Sequence, residues 1–255
     1  MNKRVLITGS TKNTGLQIAI KFAKEGYDVC VSGRDEAQAE KAAEMLRHQY
    51  GVKAMGIRLD LEDSKNIRDA FLKVKNEFGG IDVFVGNGAN LGIGISAIDM
   101  SEEELKSVIN TNVTGNFLCC QESARIMKEN GGGTIVLIGS IHYKGAVFGR
   151  SAYAASKGAI ASMVKNLAYE WAEYNIRVNQ VVPGAIRTDR WDGLSNEEEK
   201  KRRSNWPLGI ESTGEDVANA VYFMASDASK TVTGSELTVD SGLTACLLKY
   251  EKGEK

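Results

Sequence analysis

With 255 residues, 42% of them hydrophobic and 25% charged, the chain has ordinary globular composition and the length to bury one large core. Its 32 lysines and arginines against 33 aspartates and glutamates leave a formal net charge of −1, which excludes the global basic field that holds a nucleic acid or an anionic membrane surface. No apolar run approaches the roughly 20 residues of a membrane span, and the run after Lys3 and Arg4 stops at Thr8 and Gly9, short of a signal core of about 7–15 residues, so a soluble, cytoplasmic protein is expected.

Short β-branched runs alternate with longer helical patterns along the whole chain. A first strand is predicted over 5–8, and behind it Leu16, Ala19, Ile20 and Ala23 recur at helical spacing until Gly26 ends the helix. Further strands are predicted over 28–32, 54–59, 82–85, 134–138, 177–182 and 236–239, with helices over 36–50, 64–78, 101–130, 152–174 and 214–226. Gly131, Gly132 and Gly133 stop one helix before the next strand. Such alternation implies a single α/β domain over 1–255, a doubly wound seven-stranded parallel sheet with helices on both faces. The long stretch 187–213, with its charge run from Glu197 to Arg203 and its Trp191 and Trp206, reads as a partly helical substrate lid. Cys30, Cys119, Cys120 and Cys246 form neither a CxxC pair nor a ligand set with histidine; they read as free thiols, and no metal site is expected.

Directly after the first strand comes Thr8-Gly9-Ser10-Thr11-Lys12-Asn13-Thr14-Gly15, and then a helix whose free N–H groups and dipole suit a pyrophosphate. On this turn the chain resembles the short-chain dehydrogenase/reductase family, whose motif TGxxxGxG it matches except that Asn13 replaces the middle glycine. Asparagine enters the left-handed region more readily than most residues, so the turn can survive. The resemblance implies a Rossmann fold and a nicotinamide cofactor. An acidic residue at the end of the second strand would hydrogen-bond the ribose 2′-hydroxyl and repel a 2′-phosphate. Here Gly33 stands in that place, Arg34 follows and Lys12 projects from the turn, which points to NADP(H). Further matches are Asp60 and Leu61 near the adenine, Pro183, Gly184, Ile186 and Thr188 beside the nicotinamide, and Val239 to Gly242 near the end. After the fourth strand the family shows NNAG, where this chain reads Gly86-Asn87-Gly88-Ala89; Asn87 and Gly88 are assigned to the cofactor with that departure noted.

Tyr153 and Lys157 lie four residues apart and share a helix face. With Ser140 and Asn112 they match the family's Asn, Ser, Tyr and Lys tetrad in order and spacing. The resemblance assigns Tyr153 as proton donor, Ser140 as partner of the carbonyl oxygen, Lys157 as holder of the nicotinamide ribose and Asn112 as support for a water chain. A neighbouring ammonium is expected to lower the phenol's pKa. His142 and Trp191 are candidate substrate contacts, and Arg187 and Arg190 are cations that either meet an anionic substrate or stay solvated. A small polar ketone, of sugar, polyol or hydroxy-acid type, is the expected substrate. The rivals are a steroid-like ketone, a 3-oxoacyl thioester and a non-catalytic nucleotide-binding scaffold. Matching 3-oxoacyl reductases carry basic carrier-binding residues where this chain has Gly131 and Tyr174, which weakens the thioester reading. A homotetramer or homodimer is implied by resemblance.

Overall fold

The computed structural model describes residues 2–92, 94–187, 191 and 193–246. Its strands are β1 (Arg4–Ile7), β2 (Asp28–Gly33), β3 (Ala54–Arg58), β4 (Val83–Gly86), β5 (Gly133–Ile138), β6 (Ile176–Pro183) and β7 (Glu236–Val239). All pair in parallel, in the order β3-β2-β1-β4-β5-β6-β7. The helices are α1 (Asn13–Lys24), α2 (Glu36–Tyr50), α3 (Ser64–Phe78), α4 (Glu102–Ile109), α5 (Asn116–Glu129), α6 (Ser151–Glu170), α7 (Asn196–Arg203) and α8 (Gly214–Ala225).

Alternation along the strands splits the core in two. Leu6, Phe84, Ile135 and Leu137 point to the face covered by α3, α5 and α6, whereas Val5, Ile7, Val83, Val85 and Val136 point to the face covered by α1, α2 and α8. Both faces are dry, which is why the central strands read as continuous apolar runs. The strand order reverses between β1 and β4, so the crevice of a doubly wound sheet opens at their carboxyl ends.

Two expected helices are corrected. The predicted helix 101–130 is interrupted: α4 and α5 are joined by a π-helical turn, Asn110–Gly115. Gly115 sits there because a Cβ would lie 2.3 Å from the carbonyl oxygen of Leu61. The predicted helix 152–174 ends at Glu170 and passes through a 3-10 turn, Ala172–Tyr174, because Asn175 takes φ 59° to reverse the chain into β6. Within 187–213, α7 supplies the helical part behind a Ser195 capping box. Among the described residues no helix is long and apolar enough to cross a membrane. Cys30, Cys119 and Cys120 are buried free thiols whose pKa burial pushes up, and Cys246 is exposed.

Candidate active site

The turn between β1 and α1 is built by close approach. Gly9 adopts φ 60° and a Cβ on it would lie 2.9 Å from the Gly88 Cα; a Cβ on Gly15 would lie 2.2 Å from the Gly9 carbonyl oxygen. Asn13 adopts φ 49°, the left-handed geometry that lets it stand in for glycine. Lys12 caps α1 without a side-chain hydrogen bond and no acidic residue lies in the first turn, so the amides there remain open to an anion. The turn after β4 locks onto this cradle: Thr8 Oγ1 accepts from the Asn87 and Gly88 amides at 2.9 Å, and Asn87 Nδ2 donates to the carbonyls of Thr8 at 3.1 Å and Gly9 at 2.9 Å. Asn87 therefore braces the turn that the sequence assigned it to line. Gly86 stands where the family has asparagine, and a Cβ on it would lie 2.4 Å from Leu137 Cδ2 and 2.8 Å from Asn116 Oδ1, which fill the space.

At the end of β2, Lys12 and Arg34 are exposed and neither forms an ion pair among the described residues. Thr11 packs against Gly33, where a Cβ would meet its Cγ2 at 2.8 Å. Asp60 caps its own turn through the Glu62 amide at 3.1 Å, and Leu61 is buried against Gly88. Across the crevice Gly184 donates to the Val239 carbonyl at 2.8 Å, Pro183 closes β6, and Ile186 bridges to Ser212. Thr188 and Arg190 lie outside the described residues. These open amides, glycine-shaped approaches and unpaired cations fit a dinucleotide.

The tetrad gathers behind the crevice. Ser140 follows β5 in extended conformation and is buried, as are Tyr153 and Lys157 one helical turn apart on α6. Lys157 Nζ donates to the Ile138 carbonyl at 2.6 Å and sits 5.5 Å from the centre of the Tyr153 ring. Burial without a counter-ion pushes the Lys157 ammonium down to about 8. The expected lowering of the phenol by Lys157 is not what the structure has. Burial holds the Tyr153 phenol above its usual value, and the groups that pull it back are the Ser140 hydroxyl and the charge of Arg150.

Asn112 is fully buried in the π-helical turn. Its Oδ1 accepts from the Asn90 amide at 2.7 Å, and its Nδ2 donates to the Asn90 carbonyl at 2.8 Å and to Ser156 Oγ at 3.0 Å. The side chain thus ties α4, α6 and the β4–α4 loop together, while its carbonyl takes a 3.0 Å bond from Asn116 Nδ2. Asn90, Ser156 and Asn116 were not singled out from the sequence; an asparagine in a loop carries no mark of what it will meet.

Of the substrate candidates, His142 is at the site. Its Nδ1 lies 2.8 Å from Ser140 Oγ and its ring meets that of Tyr153 edge-on at 5.6 Å. Burial, then the charge of Arg150, lowers its pKa. Trp191 is buried and stacked on Trp206, ring centres 5.8 Å apart, with the Arg202 and Arg187 guanidiniums over it at 5.1 and 5.6 Å. Arg187 is held by Glu199 at 2.9 Å and Glu211 at 2.8 Å, so its charge is spent on these two carboxylates.

A sequence profile described as enoyl-(acyl carrier protein) reductase matches residues 9–244. The chain is 36% identical to a 3α-hydroxysteroid dehydrogenase of Mediterraneibacter gnavus over 94% of its length and 96% of the relative. It is also 36% identical to a 3-oxoacyl-[acyl-carrier-protein] reductase of Aquifex aeolicus, covering 93% and 96%. Among solved structures, a short-chain type dehydrogenase/reductase of Mycobacterium marinum aligns with TM-score 0.87 at 34% identity, covering 96% of both chains. A gluconate 5-dehydrogenase of Burkholderia cenocepacia, solved with NADP and tartrate, aligns with TM-score 0.89 at 29% identity, covering 97% of both. The cradle, the sheet and these relatives agree: the chain belongs to the short-chain dehydrogenase/reductase family, oxidoreductases that use nicotinamide cofactors on alcohol and carbonyl carbons.

Proposed function

We propose that the protein is an NADPH-dependent reductase of a small polar ketone, run in reverse as a dehydrogenase of the matching secondary alcohol. The observation that carries this reading is the convergence of Ser140, Tyr153 and Lys157, with Lys157 fully enclosed and bonded to the Ile138 carbonyl at 2.6 Å. Gly9, Thr11, Asn13, Thr14 and Gly15 would hold the pyrophosphate side, Lys12 and Arg34 the 2′-phosphate, Asp60 and Leu61 the adenine side, Asn87 and Gly88 the wall, and Pro183, Gly184, Ile186 and Thr188 the nicotinamide side. These residues would hold a reduced nicotinamide, whose chemistry there would be hydride supply to the carbonyl carbon.

The protein's own part is the proton. Because burial keeps the Tyr153 phenol protonated at neutral pH, it is ready to donate to the carbonyl oxygen as negative charge develops there. Ser140 donates a hydrogen bond to the same oxygen. Lys157 holds the ribose and stabilises the phenolate left behind, and Asn112 fixes the helix turn from which the proton is replaced. The half-buried His142 and Arg150 beside Tyr153 make the pocket polar, which favours a hydroxylated or acidic substrate. The exposed Val147 and Phe148, on the loop between Ser140 and Tyr153, support a hydrophobic ketone as the second reading. We further propose a cytoplasmic homodimer or homotetramer built on α4, α5 and α6, which expose Leu105, Phe117 and Tyr169.

The test is the initial rate of NADPH and NADH oxidation against sugar, hydroxy-acid, steroid and acyl-thioester ketones, with Tyr153→Phe as control. Turnover of a polar ketone that falls about 10²–10⁴-fold in Tyr153→Phe, with NADPH still bound, supports the reading. Unchanged turnover in that variant would overturn the mechanism, and a steroid or thioester preference would replace the substrate class.

A further inference from the structure

Arg150 is the residue that the tetrad does not use. It stands immediately before α6, after Gly149 at φ 68°, where a Cβ would lie 3.2 Å from the Gly94 Cα. The chain is therefore pressed against the β4–α4 loop, and Arg150 Nη1 donates to the Leu91 carbonyl in that loop at 2.9 Å. The guanidinium carbon then lies 5.9 Å from the centre of the Tyr153 ring. Its charge reaches both groups that flank the Ser140 hydroxyl, drawing the Tyr153 phenol and the His142 imidazole downward.

What sets Arg150 apart is that it is half-buried with neither a counter-ion nor a full set of acceptors among the described residues; Arg177, also half-buried and without an ion pair, spends its N–H groups on the carbonyls of Met224, Val232 and Ser226. Arg4, Arg47, Arg125, Arg187 and Arg203 each hold a carboxylate at 2.9 Å or less. Arg150 is half-buried, yet no carboxylate of the described residues pairs with it and Leu91 is its one hydrogen-bond acceptor among them. A guanidinium has five N–H donors in a rigid fork, and withdrawing it from water without a partner is costly. The start of α6 adds to the positive field: it has no side-chain cap and no acidic residue in its first turn. Lys144, the next cation along this loop, is already taken by Glu236 at 2.5 Å.

We propose that Arg150 is an anion subsite of the substrate pocket, and that the substrate is a ketone bearing a carboxylate, reduced to the corresponding hydroxy acid. This deepens the reductase reading above and rests on it. A carboxylate is favoured over a phosphate because one guanidinium arm is tied to Leu91, leaving a two-pronged edge that matches a planar monoanion, and the other cation at the Tyr153 ring, Lys157, is buried and bonded to the Ile138 carbonyl. Anchoring the carboxylate there would leave the ketone facing Tyr153 and Ser140.

The test uses the full-length protein with NADPH and matched pairs of keto acids and their primary amides, chosen among 2-oxo, 3-oxo and keto-aldonic acids, with one keto-phosphate ester added. Each pair has one shape and two charges. The wild type should prefer the best acid over its amide by about 10–100-fold in kcat/KM, the worth of a charged hydrogen-bonded contact. Arg150→Gln should bring that ratio close to one, and Arg150→Lys should restore part of it. The ratio cancels any effect of the lost charge on Tyr153, because both members of a pair use the same phenol. Equal rates on acid and amide in the wild type, a ratio untouched by Arg150→Gln, or a preference for the phosphate ester would overturn the subsite while leaving the reductase intact. Reduction of neutral ketones with no keto acid accepted would do the same, whereas no turnover of any ketone would overturn the reductase reading itself.

Discussion

His142 Nδ1 and Ser140 Oγ lie 2.8 Å apart, and the His142 backbone amide donates to the same oxygen at 3.3 Å. With burial and Arg150 lowering its pKa, the imidazole is neutral at pH 7 and carries one ring proton. When that proton is on Nδ1, the Ser140 oxygen accepts from the ring and its own hydrogen is free for the substrate oxygen. His142 is then a positioning residue for Ser140. His142→Phe keeps the edge contact with Tyr153 and removes the hydrogen bond. It should lower kcat/KM about tenfold, the worth of one hydrogen bond, with the NADPH dissociation constant unchanged. Steady-state kinetics with a fluorescence titration of NADPH checks both; a higher kcat in the variant would mean that the ring captures the serine proton instead.

Lys157 is enclosed with no carboxylate paired to it among the described residues, and its ammonium is pushed from 10.5 down to about 8. The folded state therefore disfavours the proton relative to the unfolded chain. Stability from this group is fully present above pH 10.5 and is lost as pH falls through about 8. At pH 7 the penalty is roughly 3 kcal/mol. Lys157→Met removes it but orphans the Ile138 carbonyl, at about 1 kcal/mol, so the variant should gain about 2 kcal/mol at pH 7 and lose the rise between pH 8 and 10. Thermal melts at pH 7, 9 and 10 test this; a less stable Lys157→Met at pH 7 would show that the lysine is held by more than the Ile138 contact. The same variant should be inactive, separating a stability cost from its catalytic use.

Local chemistry explains which parts of the site could be read from the sequence. Gly9, Gly15 and the Tyr153–Lys157 spacing announce themselves because few residues tolerate those backbones or share that helix face. Asn13 at φ 49° is legible for the same reason. The π-helical turn Asn110–Gly115 is not, since Leu105, Val108 and Ala124 keep an apolar helical rhythm on either side and one extra residue only slips its phase. The replacement of an asparagine by Gly86 looked like a change in the cofactor wall. In three dimensions it makes room for Leu137 and Asn116, neighbours invisible without the packing of β5 and α5 on β4. Trp191 has the composition of a substrate contact, but a partner 15 residues later in the chain, Trp206, claims its face. Lys157 was expected to tune the phenol by charge, and burial, which composition cannot report, reverses the sign.

We propose that α7 and the segments flanking it form a lid, held by four charges. Glu211 and Glu199 each bridge Arg187 and Arg203, at distances between 2.6 and 2.9 Å, and so join α7 to the segments on either side of it. Arg203 first, then Arg187, holds the Glu211 carboxyl down at about 2. Its stabilising contribution is present above the ordinary value of 4.5 and is lost as pH falls through about 2, so acid should not open the lid at pH 4. Glu211→Gln removes two of the four contacts. The stacked Trp191 and Trp206 should then become more accessible, giving a red-shifted emission and stronger acrylamide quenching, while the melting temperature moves by only about 1–3 °C. An unchanged spectrum would mean that the tryptophan stack, not the charges, fixes α7.

We propose that cofactor choice turns on Gly33 and Arg34. Arg34 is exposed and without an ion pair among the described residues, and its charge otherwise acts only at a distance on Glu62. Arg34→Ala should raise the KM for NADPH about 10–100-fold, the worth of a charged contact to a 2′-phosphate, and leave that for NADH within about threefold. Gly33→Asp would add the carboxylate that favours NADH, but its Cβ would meet Thr11 Cγ2 at 2.8 Å. The single variant should therefore lose about 1–2 kcal/mol of stability. Thr11→Ser deletes the clashing methyl and keeps the hydroxyl, whose oxygen is an unstrained 3.8 Å away. The pair Gly33→Asp with Thr11→Ser should recover the melting temperature and reverse the preference to NADH, since the new carboxylate repels a 2′-phosphate and accepts from a ribose hydroxyl. Ratios of kcat/KM for the two cofactors decide the matter: a double variant that still prefers NADPH would place the discriminating charge on Lys12 or Arg58, not at the end of β2.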